Sequence, residues 1–373
     1  MVQTFRRTSR AQIQARSEVI PFYLAIGKHE PRSGVAPRVT VPLSILDLAP
    51  IAPGETVRDS FAASVALAQQ AEASGYRRVW YAEHHNMATI ASSATAVLIA
   101  HVASQTSTIR LGAGGVMLPN HAPLTIAEQF GTLESLHPGR IDLGLGRAPG
   151  SDQATFRALR RDPASSEHFP DDVLELQAFL AGQSRVPGVN ATPGAGTRVP
   201  LYILGSSLFG ARLAAALGLP YAFASHFAPD ALHQAVAIYR REFTPSEQLE
   251  RPHVIAGVNA IVTDDRDDAA AQLARVKRAR LVMLLRQSGR IPLDRQFGDD
   301  ELDYLLTTPA GAQVQSMATY TGLGTGADVS DYIEDFARAA DVDEVIVAHA
   351  SLETAARLRS VELLADAHAR VAA

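Results

Sequence analysis

The chain has 373 residues, 47% hydrophobic and 20% charged, with a formal net charge of -5; this is a globular composition with length for a large core and no basic excess to attract nucleic acid. It has no cysteine, which excludes disulfides, thiolate metal sites and a cysteine nucleophile and is compatible with a reducing, cytoplasmic setting. No apolar run reaches the ~18 residues of a membrane span, so a small molecule is the expected partner.

Residues 1–40 differ in character. MVQTFRRTSRAQIQARSEVI is rich in Arg and Ser, has no acid before Glu18, and leads into GKHEPRSGVAPR. It lacks the apolar core of a secretory signal and reads as a loosely ordered N-terminal extension, leaving 41–373 as the folded unit.

From residue 41 onward, short β-type runs alternate with helical segments. The runs are VPLSILDL (41–48), RRVWYA (77–82), IRLGAGGVML (109–118), RIDLGLG (140–146), PLYILG (200–205), YAFAS (221–225), HVIAGVNAIV (253–262) and DEVIVAH (343–349). Several are almost continuously apolar, the pattern of parallel strands covered on both faces. Thr56 and Asp59 form a capping pattern before SFAASVALAQQAEASGY, with Phe61, Val65 and Ala68 expected on its apolar face. PLTIAEQFGTLESL ends at His137-Pro138-Gly139, and SLFGARLAAALG and APDALHQAVAIYRREF supply later helices.

Eight such units predict a (β/α)8 TIM barrel with insertions after strand four (149–198) and before strand eight (287–330). A doubly wound open sheet alternates in the same way, so the period alone leaves both possible. GLGRAP and LGAGG lack the third glycine of a dinucleotide fingerprint, and GLGTG follows no convincing strand.

In a barrel the active site forms at the C-terminal strand ends. Those ends carry Glu83, His84 and His85, then Gly114-Gly115, Arg147, Gly205-Ser206-Ser207 and Ser225-His226, a set suited to an anionic, planar ligand. Gly205-Ser206-Ser207 opens a helix, where free N–H groups and hydroxyls favour a phosphate, and Arg147 could add a guanidinium; a plain N-cap and a surface arginine account for the same residues. Gly114-Gly115 inside a strand marks a bulge or the close approach of a flat ring. Glu-His-His lacks the spacing of a zinc helix, so no metal is expected.

WYAEHHN, IRLGAGGVMLPNHAPLTIAEQFGTLESLHPGRIDLGLGRAPGSD and LYILGSSLFGARLAAALGLPYAFASHF together resemble the bacterial luciferase-like, flavin-dependent monooxygenases, in particular the single-chain oxidoreductases among them. The resemblance implies a (β/α)8 barrel. It implies His84 beside the reactive edge of a flavin, with Glu83 supporting it, as the catalytic pair, and Gly114-Gly115 where the family often has a non-prolyl cis peptide under the ring. Arg147, Gly205, Ser206 and Ser207 would then hold the FMN phosphate. Gly146 stands where the luciferase proper has a cysteine and Gly205 where it has an acid, which argues against light emission. The implied activity is oxidation of a small substrate by O2 and reduced FMN from a separate flavin reductase, in a homodimer. F420-dependent hydride transfer and flavin binding without turnover are the alternatives. Because members begin just before the first strand, translation is expected to start near Val39 or Val41.

Overall fold

A computed structural model of the chain describes residues 40–147, 153–287, 291–292 and 295–372. The N-terminal extension apart from Thr40, and with it the expected start site, lies outside the described residues.

Among the described residues nine parallel strands follow in chain order: β1 (Leu43–Asp47), β2 (Arg78–Tyr81), β3 (Arg110–Met117), β4 (Ile141–Gly146), β5 (Leu201–Gly205), β6 (Tyr221–Phe223), β7 (Val254–Val262), β8 (Thr321–Gly324) and β9 (Glu344–His349). Pairing runs from β1 through β6 in sequence, then β6 to β7, β7 to β9 and β9 back to β1, so eight strands close a ring. Closure rules out the open sheet, and each of the eight sequence-derived runs contributes one barrel strand. Two differences follow from the region before the last strand. GLGTG is not a loop: Thr321–Gly324 is itself a strand, paired with Asn259–Val262 at the far end of β7. The insertion also ends earlier than 330, because Thr325 and Asp328 form a capping box that starts the helix Gly326–Ala340.

The helices cover the barrel with small residues where they lie closest. In Val57–Ala73 the buried face is Ser60, Ala63, Ser64, Leu67, Ala68 and Ala71. Phe61 and Val65, expected on that face, are half-buried at its edge; short side chains let this helix approach β1, and Ser64 donates to Asp47 Oδ2 at 2.6 Å. The insertion after β4 carries the helix Phe169–Leu180. The insertion before β9 has its own small core of Leu281, Leu302 and Val314, closed outside by Arg278 pairing with Asp299 and Asp303. No helix among the described residues is long and apolar enough to cross a membrane.

Inside the barrel the N-terminal end is sealed by charge. Arg78 pairs with Asp142 at 2.7 Å and Glu344 at 2.9 Å and donates to Tyr202 Oη at 2.7 Å, all buried. Burial alone would favour loss of the Arg78 proton; Asp142 and Glu344 outweigh it and hold the guanidinium charged. Trp80 caps this layer, its indole N–H donating to Asp142 at 3.1 Å and its ring edge-on to Tyr202 at 4.9 Å. Above it Leu46, Ala82, Ala222, Ile255 and Ile346 fill the axis, which leaves the C-terminal mouth as the place for chemistry.

Candidate active site

β2 delivers Glu83 and His84 to the mouth. Glu83 is buried, and its carboxylate receives Met117 N at 3.1 Å, His121 Nε2 at 2.8 Å and His85 Nε2 at 2.8 Å. Burial would raise this carboxyl, but the bonds from His121 and His85 and the His121 charge prevail and hold it below the usual carboxylate range. Glu83 thus ties the end of β2 to the end of β3 and to the loop after it. His85 pays out the other half of that bond: its ring is held protonated more readily than a free histidine, first by the Glu83 hydrogen bond and then, against burial, by the Glu83 charge. His121 is a participant that sequence reasoning missed; its only signal is a histidine between Asn120 and Pro123 just after a strand end.

His84 turns the other way. Its backbone N–H is held by Ser92 O at 2.9 Å, while its Nδ1 is buried and bonds to nothing among the described residues. Burial lowers its affinity for a proton, partly offset by Glu83. β6 stands opposite β2 in the ring and brings His226, whose Nδ1 is likewise buried and unbonded. Burial, with Arg280 and His84 nearby, holds the His226 ring down to about 4. Its ring lies directly over Gly257, where any β-carbon would collide with it. His84 and His226, close enough to feel each other's charge, thus each carry a buried nitrogen with no partner among the described residues, a costly arrangement unless a ligand completes it.

The Gly114–Gly115 peptide is cis, at a register shift between Ala113 and Val116 on β3. A bulge at the two glycines would give such a shift, and the side chain packed against Gly114 is that of Trp80. Gly115 instead meets backbone: a β-carbon there would lie 2.7 Å from Gly144 O.

β4 and β5 form a second corner. Ser207 is the N-cap of the helix Leu208–Leu217, yet its hydroxyl makes no capping bond, and Ser206 and Ser207 are exposed. Among the described residues no side chain caps the first N–H groups of that helix, which can therefore receive an anion. Arg147, exposed at the end of β4, stacks on Phe209 of the same helix at 4.3 Å. Beside them Gly205 is spacious: the nearest atom to a β-carbon would be Gly210 Cα at 4.0 Å. Hydroxyls, free amides, a guanidinium and room between them fit a phosphate ester, and the unbonded histidines fit a planar ring with hydrogen-bonding edges. Residues 148–152, which follow Arg147 in sequence, lie outside the described residues. Among the described residues no cluster of His, Cys, Asp or Glu has the arrangement of a metal site.

A closed barrel with an uncapped helix start, an exposed guanidinium and buried histidines at its mouth suits a flavin-type oxidoreductase. The chain belongs to the luciferase-like monooxygenases, whose family model matches residues 41–344. It is 46% identical over 328 residues to a luciferase-like monooxygenase of Escherichia coli K12, covering 88% of this chain and 97% of that one. Among solved structures it is similar to apo-MsnO8, with 34% identity, a TM-score of 0.77, and 88% and 98% of the two chains covered. Two more distant structures share the fold alone. One is the oxygenating constituent of 3,6-diketocamphane monooxygenase of Pseudomonas putida with FMN, at 17% identity, TM-score 0.64, and 89% and 98% coverage. The other is an F420-dependent secondary alcohol dehydrogenase, at 14% identity, TM-score 0.64, and 89% and 99% coverage.

Proposed function

We propose that the chain is an FMN-dependent monooxygenase, using reduced FMN from a separate reductase together with O2 to oxidise a small organic substrate, and acting as a homodimer in the cytoplasm. The observation that carries this reading is the uncapped helix at Ser207 facing Arg147, on the same mouth as His84 with its buried, unbonded Nδ1. Arg147, Ser206, Ser207 and the space at Gly205 would hold the phosphate; the end of β3 at Gly114-Gly115 and His84 would meet the ring. Bound reduced FMN supplies the electrons for oxygen chemistry.

The protein's own part is positioning, proton handling and shielding. Glu83 fixes His85 and His121 and so sets the loop that carries His84. His84, kept neutral by burial, can accept a proton at Nδ1 from a group in the mouth and return it. The insertion before β9 is anchored at this end of the barrel, because Asn259 of β7 donates to Met317 O at 3.1 Å; that placement supports a role in excluding water.

A deazaflavin phosphate suits the same corner, so F420-dependent hydride transfer is the competing reading, and the fold likeness to an F420-dependent dehydrogenase favours testing it. The purified chain is titrated with oxidised and reduced FMN and with reduced F420, then mixed with oxygenated buffer under stopped flow. Preferential binding of reduced FMN followed by oxygen-dependent absorbance changes is the expected result. Selective binding of F420 with no oxygen dependence overturns the monooxygenase reading.

A further inference from the structure

Arg280 lies on the helix Arg266–Gln287 that follows β7. Its Nη2 donates to Asn259 Oδ1 at 2.7 Å and its Nη1 to Met317 O at 3.3 Å. Both acceptors are neutral. A guanidinium has five N–H donors, and these two bonds are all that it makes among the described residues. The contrast with its own helix is sharp: Arg266 pairs with Asp328, Arg275 with Glu353, and Arg278 with Asp299 and Asp303. Arg280 has no carboxylate among the described residues, and burial lowers its affinity for a proton with no acid among them to offset that. One turn earlier, Lys277 is similarly placed, its Nζ donating to the neutral Gln315 Oε1 at 3.1 Å.

This charge is directed at the mouth. Asn259, which holds Arg280, is buried in β7 two residues beyond Gly257, the residue on which the His226 ring lies. Asn259 also donates to His226 O at 2.8 Å, so Arg280, Asn259 and His226 form one connected arc. The arc faces His84 across the ring and is separate from the Ser206–Arg147 corner on β4 and β5. A guanidinium partly withdrawn from water, whose hydrogen-bond acceptors among the described residues are both neutral and whose charged neighbour is the Lys277 ammonium, is costly by itself and is compensated when an anion arrives.

We infer that Arg280, with Lys277 beside it, recognises an anionic head group, a carboxylate or sulfonate, on the substrate. The inference rests on the oxidoreductase reading of the mouth and adds the substrate's charge. Arg280 acts as a specificity-determining residue: it orients the substrate by its acidic end and leaves the reacting carbon or heteroatom toward His84.

The FMN-loaded full chain is titrated with octanoate and with octane-1-sulfonate, and with octanamide as the neutral counterpart, by flavin fluorescence and calorimetry. The acids bind the native chain about tenfold or more tightly than the amide, the scale of a charged hydrogen bond. Arg280→Gln removes that preference and leaves the FMN affinity unchanged, while Arg280→Lys keeps most of the preference and so separates charge from the bridge to Asn259 and Met317. Equal binding of acid and amide, no measurable binding of either acid, or an acid preference that survives Arg280→Gln overturns the inference. So does loss of FMN affinity in Arg280→Gln, which would place the guanidinium on the cofactor. Failure of the native chain to bind FMN or F420 at all would instead overturn the proposed function, and the acid-over-amide comparison is then read by calorimetry on the unloaded chain.

Discussion

The side chain of Trp80 stands in the space that a side chain on Gly114 would need: a β-carbon at Gly114 would lie 2.8 Å from Trp80 Cβ, 3.1 Å from Leu46 Cδ1 and 3.2 Å from the indole Cε3. Trp80 cannot retreat, because its other edge meets Tyr202 and its N–H is bound to Asp142. Gly114→Ala therefore overpacks the barrel axis and costs about 1–3 kcal/mol of stability. Gly205→Ala, where the space is open, leaves the melting temperature close to that of the native chain. Equal losses from the two substitutions, measured by thermal unfolding, would refute the distinction.

The eight barrel strands were legible because each is an apolar run buried on both faces, which only a covered parallel sheet requires. β8 was not, since Thr321–Gly324 is four residues with two glycines and pairs only with the far end of β7; nothing local marks it. The same limit applies to the site. Glu83 and His84 stood out because polar groups directly follow a buried strand, whereas His121 and Arg280 matter through partners that are distant in sequence, at Glu83 and Asn259. Periodicity tells which residues share a face. It does not tell which distant side chain will neutralise a buried charge, or fail to.

The barrel floor illustrates the cost of such a charge. Arg78→Met leaves Asp142 and Glu344 buried with Arg110, Arg77 and His253 as their remaining partners. Removing one member of a buried ion pair costs about 3–5 kcal/mol, so this variant should lose that much in urea unfolding or fail to fold. Tyr202→Phe removes one hydrogen bond to the same guanidinium and should cost about 1.5–3 kcal/mol. A neutral effect of Arg78→Met would mean that the floor is hydrated.

Glu83→Gln isolates the positioning network at the mouth. The carboxylate raises the His85 ring's affinity for a proton, chiefly through the 2.8 Å hydrogen bond; the amide should let it fall toward 6.5, the ordinary value. Ring-proton NMR titration of His85 in the two proteins reads this directly. An unchanged titration would show that Glu83 does not hold His85 in solution.

Acid sensitivity follows from the buried neutral histidines. Burial holds His349 down to about 3 and His226 to about 4, from 6.5 in the unfolded chain. Between those values the unfolded chain takes up protons that the folded chain refuses, so their contribution is complete above pH 6.5 and is lost as the pH falls toward 4 and 3. Glu83, depressed in the fold, adds a loss in the same direction below 4.5. His85, raised, has the opposite sign: its contribution is full below 6.5 and fades as the pH rises through its folded value. The expected profile is a urea midpoint that declines on acidification from pH 6.5. His349→Gln should flatten it; a slope unaltered by that substitution would assign the decline to other groups.

The phosphate corner gives the most direct test of cofactor placement. Arg147 is exposed and stacked on Phe209, so the contact proposed for it with a phosphate would be partly screened and belongs at the low end for charged hydrogen bonds. Arg147→Ala should raise the dissociation constant for FMN about tenfold, and the loss should shrink as salt is added. Riboflavin has the same ring and no phosphate, so its binding should be indifferent to the substitution. Removing the Ser206 and Ser207 hydroxyls together should weaken FMN by a further few-fold through lost donors, about 1 kcal/mol or less, again without touching riboflavin. Were both ligands weakened in parallel, Arg147 would be acting through Phe209 on the shape of the mouth rather than on the phosphate.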